Sequence, residues 1–499
     1  MESASLQSGL PGGEGSSRLR GIPLRRLEQA GLAALVISAL VLFAVYPAYP
    51  SYDSAYALVW GREILHLDPI SLEAFRAPTE HPLAIAVAAV LSIIGEPADR
   101  VLELLYMLSF VALIAGAYRL GRAAFTPLVG LAAALVILSR FDFASLAIRA
   151  FIDIPFLAAL VWAAALECER PRRGGAVWVL VVLAGLMRPE AWGLAAAYWL
   201  WMVVGPARPG RADVLRWAGW VLLAPALWLG FDLVATGDPL FSFTSTSEEV
   251  EELGRDESLA DLPGAAEAFL VELVKTPVLL GGALGALLAL WFVPTRAAMP
   301  LFLLAAGLAT FGAIGAAGLA VIDRYLLLAA AALSVFAAYA AAGFTTLRPG
   351  SGLRRIWTAV AALGVLAVIA YTAANTLNVR NFADELEFRT DSHDSLAAIF
   401  EADRVRAARG RGCGPVSVPT HKLVPEVRWT LDLAEEEVVA RSDPDQRSRA
   451  RRGLALHVRD RRALILQGFD PDADPLTQVP AAGFEPLAAN DHYAVYGRC

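Results

Sequence analysis

Residues 29–65, QAGLAALVISALVLFAVYPAYPSYDSAYALVWGREIL, join an apolar run to a short segment in which Asp53 stands among aromatic side chains. The run 29–48 carries no charged side chain. About 20 apolar residues is the length and composition of a helix that crosses a membrane. Asp53 therefore follows directly on the end of a span, and what its carboxylate can do depends on the side of the membrane that it faces.

Similar runs recur along most of the chain. Of its 499 residues, 57% are hydrophobic and 18% are charged, whereas soluble domains average about 25% charged residues. The apolar runs lie at 29–48, 82–95, 101–121, 125–140, 150–167, 176–188, 190–205, 215–236, 277–293, 299–319, 325–344 and 355–376. The composition predicts an all-α polytopic membrane protein, in which the side of each charge matters more than the net charge of −7.

The run 82–95 is the shortest of the runs that have clear polar flanks. As a helix it would reach only about 21 Å, against a hydrocarbon core of about 30 Å. We therefore predict that it lies along the outer surface, which leaves about eleven transmembrane helices and puts the loop arginines on one side of the membrane. These are Arg119, Arg122, Arg170, Arg172, Arg173, Arg208, Arg211, Arg216, Arg296, Arg348, Arg354 and Arg355. Because cytoplasmic loops are rich in arginine, the prediction is a multi-pass plasma-membrane protein with a cytoplasmic N-terminus and an extracytoplasmic C-terminus.

The sequence divides into three predicted parts. Residues 1–24 are a disordered cytoplasmic tail, 25–378 form the transmembrane domain, and 379–499 form a small extracytoplasmic α/β domain, because charged residues there alternate with short apolar segments. Cys413 and Cys499 both lie in this last part, where oxidation occurs, and we expect them to form a disulfide.

Asp53 is the first candidate functional residue. Apolar surroundings disfavour the charged form of a carboxylate and make it more basic, which suits a general base that acts on a hydroxyl. The alternative is structural, because Ser51 or Asp53 could cap the N-terminus of a helix. The local sequence leaves both interpretations open.

Several other charged residues are predicted to lie on the outer face of the membrane. Glu80 and His81 precede Pro82 at the start of the surface helix, where anions are favoured. A phosphate contact and a solvated loop are both open for this pair, but two adjacent ligands do not make a metal motif. Arg149 and Asp153 are spaced i,i+4 and would share a helix face, either as a structural ion pair or as ligands of a phosphate and a hydroxyl.

Later turns supply the remaining candidates. Arg188 and Glu190 flank a proline between two apolar runs, where Arg188 could either meet an anionic head group or snorkel to the interface. Arg324 begins a late span and is either a phosphate ligand or a membrane-end anchor. Asp142 belongs to the same outward-facing set. Charges at such depth are costly and commonly mark a site.

Read in chain order, these motifs resemble the GT-C membrane glycosyltransferases, and most of all the group of protein O-mannosyltransferases and lipid A aminoarabinose transferases. Asp53 and Tyr56 match a D-x-x-Y pattern after the first span. The other matches are EHPL at 80–83 with a Lys/Pro-Pro-Leu element, RAFIDIP at 149–155 with R-x-x-x-D-x-P, GLMRPE at 185–190 with Gly-Leu-x-Lys/Arg, and Arg324–Tyr325 with a late outer-face motif. The likeness covers about residues 25–345. It departs from the family at Ser54, where a second acid is common.

The resemblance implies an enzyme that takes a sugar from a polyprenyl-phosphate donor and passes it, with inversion, to an acceptor hydroxyl on a lipid, glycan or protein. Asp53 would be the general base, and Arg149, Arg188, Arg324 and His81 would hold the departing phosphate. The other substrate-binding candidates are Tyr56, Glu80, Asp142, Asp153, Glu190 and Tyr325. We expect no cofactor, no supported metal site and no nucleic-acid partner.

Two alternatives stay open. A membrane transporter or lipid flippase would place ionisable groups at mid-span depth and interrupt paired helices, whereas the charges here gather at one face. A catalytically inactive relative that binds lipid is the other alternative, because Ser54 replaces the common second acid.

Overall fold

In a computed structural model, the structure describes residues 23–46, 49–205, 209–245, 262–319, 321–374, 377–466 and 483–499. The predicted N-terminal tail lies outside the described residues except for its last two. The helices of the N-terminal region are α1 (Leu24–Val45), α2 (Tyr52–His66), α3 (Pro82–Ser92), α4 (Ala98–Ala124), α5 (Pro127–Leu138), α6 (Phe141–Ile148), α7 (Asp153–Glu169), α8 (Ala176–Met187), α9 (Glu190–Val203), α10 (Arg211–Thr236), α11 (Leu262–Phe292), α12 (Pro294–Ala316), α13 (Leu327–Ala342) and α14 (Gly352–Ala374).

The chain is a multi-span membrane protein. Among the described residues, seven helical segments are long and apolar enough to cross a membrane: Leu24–Val45, Ala98–Ala124, Arg211–Thr236, Leu262–Phe292, Pro294–Ala316, Asp323–Thr346 and Gly352–Ala370. The pair α5 and α6, bent by 62°, makes an eighth if it is one span. The predicted count of about eleven included α7, α8 and α9 as well. These have 17, 12 and 14 residues, so they fall short of the usual 20.

The short helix α3 begins at Pro82, in the first-turn position where proline needs no hydrogen-bond partner for its nitrogen. It packs against α2, and Gly61 of α2 makes this approach close, because a Cβ there would come within 2.5 Å of the backbone of Ala89. The helices α2 and α3 therefore form a small unit between the first span and α4. Asp53 lies in the first turn of α2, and His81 is the residue just before α3.

The most enclosed span runs from Asp323 to Thr346, with 83% of its apolar window buried. It packs against α11, where Gly282 and Gly285 let the two backbones meet. Arg324 and Tyr325 lie in the 3₁₀ turn that opens this span. The deepest helix of the bundle therefore starts with a cation at the same end as Asp53.

The C-terminal region is a small α/β unit. Its helices are α15 (Leu377–Phe400), α16 (Asp403–Gly410), α17 (Val424–Leu431) and α18 (Arg461–Leu466), and its strands are β1 (Val416–Val418), β2 (Val438–Ala440), β3 (Gly453–Val458), β4 (Glu485–Ala489) and β5 (Tyr493–Arg498). The strand order is β2-β1-β3-β5-β4, with β1 parallel to β2 and β3, and β5 antiparallel to β3 and β4. The fold class predicted from the sequence, an all-α membrane region with a small C-terminal α/β region, is confirmed.

A disulfide joins Cys413 to Cys499, with the two Cα atoms 5.2 Å apart. Cys413 lies just before β1 and Cys499 just after β5, so the bond ties the start of the sheet to its last strand. Cys168 is a free thiol in α7.

Candidate active site

The helix α2 presents Asp53 in its first turn. Ser51 is the N-cap, and its side chain accepts a hydrogen bond from the Ser54 amide at 3.4 Å. Ser51 and not Asp53 is therefore the helix cap, and the carboxylate of Asp53 is available for other contacts. Ser54 donates its hydroxyl to the carbonyl of Ala150. This contact needs a donor, so an ionised acid at position 54 could not make it.

Asp53 lies at one end of a chain of ion pairs. The Nη1 of Arg324 is 3.7 Å from the Oδ2 of Asp53 and 3.2 Å from the Oδ2 of Asp153. The other oxygen of Asp153 pairs with Arg188, which also reaches Glu190 at 2.9 Å. Four segments distant in sequence thus meet in one network, and Asp153 at its centre is 1% exposed.

The expected helix face shared by Arg149 and Asp153 does not form. The helix α6 ends at Ile148, Ala150 adopts a left-handed backbone with φ 52°, and α7 begins at Asp153. The break turns the two side chains to different partners. Because i,i+4 pairing needs a continuous helix, the sequence spacing alone was misleading.

The guanidinium groups of Arg149 and Arg324 both lie near one aromatic ring. Their guanidinium carbons lie 4.9 Å and 4.8 Å from the ring centroid of Phe151. The Nε of Arg149 is buried and has no hydrogen-bond partner among the described residues. Two cations on the same ring repel each other, so an anion between or beside them would lower the energy of the site.

A small cleft opens beside Asp53. It is lined by Asp53, Ser54, Ala57, Trp60, Thr79, His81, Ala84, Tyr106 and Ile152. Burial raises the pKa of the Asp53 carboxyl above its usual value, although the nearby Arg324 opposes this shift. Burial also lowers the pKa of His81 to about 3, assisted by Arg188. His81 is therefore neutral at pH 7 and offers a hydrogen bond rather than the positive charge that the sequence suggested.

Glu80 does not line this cleft. Its Oε1 accepts a hydrogen bond of 2.6 Å from Ser242, whose hydroxyl also lies 2.6 Å from Asp232, and the Trp228 indole donates to the same hydroxyl at 2.8 Å. Glu80 and Asp232 are 2% and 0% exposed. Burial raises the pKa of Glu80 to about 7. The sequence reasoning missed Asp232 and Ser242, although an acid within a predicted span was a signal in itself.

The remaining candidates divide between the network and other surroundings. The ring of Tyr325 lies 5.0 Å from the guanidinium carbon of Arg188, so it belongs to the network. Asp142 instead pairs with Lys275 at 3.7 Å. Tyr56 is fully buried between Tyr52 and Trp60, with both ring centroids 5.1 Å away, and it does not line the cleft. In the described part of the chain, no group of three or more His, Cys, Asp or Glu side chains could hold a metal ion.

The overall structure is similar to two solved membrane proteins. ArnT from Cupriavidus metallidurans, bound to undecaprenyl phosphate, matches with a TM-score of 0.55 at 14% identity, over 94% of this chain and 98% of that one. The archaeal oligosaccharyltransferase AglB from Archaeoglobus fulgidus, in complex with an inhibitory peptide and a dolichol-phosphate, matches with a TM-score of 0.50 at 13% identity, over 85% of this chain and 65% of that one. No family model and no curated protein matches the sequence. At such low identity the likeness concerns the fold alone: the chain shares the overall membrane fold of ArnT and AglB.

Proposed function

We propose that the chain is a membrane glycosyltransferase that moves a sugar from a polyprenyl-phosphate donor to the hydroxyl of a lipid, glycan or protein acceptor. One observation carries the proposal. A basic, partly exposed carboxylate, Asp53, borders a cleft and stands 3.7 Å from Arg324, which shares the ring of Phe151 with a second arginine, Arg149. A base beside two cations is what the transfer of a glycosyl group from a phosphate requires.

The proposed reaction is a displacement at the anomeric carbon of the donor sugar. The acceptor oxygen attacks the anomeric carbon of the sugar and loses its proton to Asp53. A new carbon–oxygen bond forms as the bond between the anomeric carbon and the phosphate oxygen breaks, and polyprenyl phosphate leaves. Attack from the side opposite the leaving group inverts the anomeric carbon. Negative charge grows on the phosphate, where a preorganised cation stabilises the transition state more than the ground state.

Arg324 and Arg149 are the proposed phosphate ligands. Each nitrogen of Arg188 is already engaged by Asp153 or Glu190, so Arg188 holds Asp153 in place, and Asp153 in turn orients Arg324. The lipids in the ArnT and AglB structures, undecaprenyl phosphate and a dolichol-phosphate, are supporting analogies for the donor.

We propose further that the reaction needs no metal ion. Position 54, where the resembled family often carries a second acid, is a serine whose hydroxyl is engaged with the Ala150 carbonyl. The guanidinium groups supply the charge that a metal would otherwise supply. Dialysis against EDTA should leave turnover unchanged, and a loss that Mg²⁺, Mn²⁺ or Zn²⁺ restores would contradict this.

The proposed orientation puts the cleft and the C-terminal region outside the cytoplasm. Single cysteines at the exposed positions Asp68 and Ser448 should then react with an impermeant maleimide in intact cells, if Cys168 is first replaced by Ala. A cysteine at Arg172 should react only after lysis. Reaction at Arg172 in intact cells would reverse the orientation.

The test of the function is reconstitution. The purified chain in liposomes is given polyprenyl phosphates that carry mannose, glucose or aminoarabinose, and the release of polyprenyl phosphate is followed by mass spectrometry. We expect release with at least one donor and far slower release by Asp53→Asn. A flippase would instead move a fluorescent polyprenyl-phosphate sugar across the bilayer, out of reach of an added quencher, without releasing the lipid phosphate, and that result would contradict the proposal.

A further inference from the structure

The far end of α2 is joined to the C-terminal region by a buried ion pair. Glu63, in the last turn of α2, accepts a hydrogen bond of 2.5 Å from Nη2 of Arg428, which lies in α17. Arg428 is 1% exposed and Glu63 is 9% exposed. The two residues are 365 positions apart in the sequence, so the contact exists only when the C-terminal region is docked on the membrane region.

Ser71 completes this contact. Its amide and hydroxyl both donate to Glu63, at 2.9 Å each, and its hydroxyl accepts from Nη1 of Arg428 at 2.8 Å. The Nε of Arg428 donates to the carbonyl of Leu433 at 3.4 Å. Every charged atom of the pair thus has a partner, which is the condition under which a buried pair holds a single geometry.

A second arginine makes the reverse connection. Arg62, the neighbour of Glu63 in α2, donates to the carbonyls of Arg428 at 2.9 Å and Trp429 at 3.2 Å, and it pairs with Asp432 at 3.0 Å. These carbonyls lie in the last turn of α17, where the helix dipole favours a cation. Each helix thus supplies an arginine to the other.

The helix that carries these contacts also carries Asp53. Ten residues separate Asp53 from Glu63, or about 15 Å along one helix. Between them, Trp60 lines the cleft and donates its indole hydrogen to the carbonyl of Ser71 at 3.1 Å. At the near end, the Ser51 amide donates to the Arg149 carbonyl at 2.9 Å. The helix is therefore held at both ends, and the far anchor belongs to the C-terminal region.

We propose that Arg428 is a positioning residue of the transferase: through Glu63 it fixes α2 so that Asp53 faces Arg324, and the C-terminal region is in this way part of the catalytic unit. The Glu63–Arg428 pair and Ser71 together form the clamp. The inference rests on the proposed function for the role of Asp53, whereas the clamp itself can be tested without any activity.

Removing one partner leaves the other charge buried and unpaired, which forces water in or the helices apart. Arg428→Met should therefore free the far end of α2. Asp53 would then lose its fixed distance to Arg324, while the contacts that hold the donor phosphate at Arg149 and Arg324 remain. The expected kinetic result is a loss of about 10–100-fold in kcat, because small displacements of a reacting group are costly, with the donor KM within about twofold of the wild-type value.

The experiment uses the full chain in detergent and four variants: Arg428→Met, Arg428→Lys, Glu63→Met and the double variant Arg428→Met/Glu63→Met. Arg406→Met is the matched control, because Arg406 is 60% exposed on the neighbouring helix α16 and pairs with exposed acids.

Hydrogen exchange of the α2 amides is measured first. We expect faster exchange in both single Met variants, a smaller increase in the double variant, which leaves no unpaired charge, and none in Arg406→Met. Arg428→Lys should rescue in part, since a lysine keeps the charge but not the fork.

The pH profile of kcat separates positioning from general destabilisation. Asp53 is faced by Arg324, Asp153, Arg188 and Arg149. Moving it away from Arg324 removes the main charge that lowers its pKa, so the acidic limb of the profile should move to higher pH in Arg428→Met. A merely smaller folded fraction would scale the rate at every pH without moving this limb.

Each outcome of these experiments either supports or overturns the proposal. Unchanged exchange of α2 in Arg428→Met overturns the clamp, whether or not the wild-type chain transfers a sugar. Faster exchange with wild-type kcat shows that the clamp exists but does not position Asp53, and this also overturns the proposal. Faster exchange with lower kcat, a similar KM and a shifted acidic limb supports it. If the wild-type chain transfers no sugar at all, the proposed function fails while the exchange results still judge the clamp.

Discussion

Replacing Asp53 by Asn tests the proposed chemistry most directly. The amide keeps the shape of the side chain and removes only its ability to accept a proton. Loss of a general base typically slows a reaction by about 10²–10⁴-fold. At about 1.36 kcal/mol for each tenfold change, this raises the activation barrier by about 2.7–5.4 kcal/mol.

The structure predicts a much smaller effect on folding. Ser51, and not Asp53, caps α2, so no cap is lost. The pair of Asp53 with Arg324 spans 3.7 Å, which is beyond hydrogen-bond distance, so the Asn side chain loses no hydrogen bond to Arg324. Arg324 also keeps Asp153 at 3.2 Å. Activity and stability should therefore respond very differently to the same substitution.

The donor affinity gives a further check. Without the charge of Asp53, Arg324 has one carboxylate neighbour fewer and should hold a phosphate at least as well. We expect a large fall in kcat with a donor KM that is unchanged or lower. In the wild type, the acidic limb of kcat should lie above the ordinary aspartate range of about 4, because burial raises the pKa of Asp53.

The assay is transfer by the purified variant from the donor that the wild type uses, alongside thermal melting in the same detergent. Asp68→Asn is the matched control, since Asp68 is exposed just beyond the end of the same helix. Transfer by Asp53→Asn within about threefold of the wild-type rate would refute the base assignment. An equal loss in Asp68→Asn would show that the substitution acts on the helix and not on the chemistry.

Three other predictions follow from contacts in the same structure. Arg149→Lys and Arg324→Lys keep the charge and lose the bidentate fork, so each should lower kcat/KM by about 10-fold or more with little change in melting temperature; wild-type kinetics in both would remove the phosphate assignment. Glu80→Gln should flatten the pH dependence of stability. Because burial raises the pKa of Glu80 from 4.5 to about 7, the folded wild type should lose roughly 3 kcal/mol as the pH rises from about 4.5 to 7, and equal slopes in melting curves of variant and wild type would contradict this. Cys413→Ser should cost about 2–5 kcal/mol in the stability of the C-terminal region, measured by limited proteolysis against denaturant, and unchanged protection would show that the bond is dispensable.

Four of the site residues predicted from the sequence lie close together in the structure. Charges are rare in a chain of this composition, so Asp53, Asp153, Arg188 and Arg324 stand out against apolar neighbours, and the structure brings all four into one network. Burial in a membrane makes each unpaired charge costly. A charge that remains near a span must find a partner, and this physical rule is what made the set predictable.

The pairing within the set was not predictable. Arg149 and Asp153 suggested a pair by spacing, but the left-handed backbone of Ala150 ends one helix before the next begins. Glu80 was predicted to bind the substrate, yet the hydroxyl of Ser242, which follows α10, lies 2.6 Å from both Glu80 and Asp232. Both outcomes depend on where helices stop and which loops pass nearby. Such contacts arise from tertiary packing and leave no local pattern in the sequence.

Ser54 shows how one substitution can change the meaning of a motif. Taken alone, its place beside Asp53 indicated a missing acid and left open a catalytically inactive relative. In the structure its hydroxyl fastens α2 to the Ala150 carbonyl, at the turn that also presents Arg149 and Phe151. The serine thus ties the proposed base to the proposed phosphate-binding turn. A second carboxylate at this position would repel that carbonyl and would add negative charge where the leaving phosphate develops its own. Ser54 is therefore consistent with an active site that uses one base and two guanidinium groups.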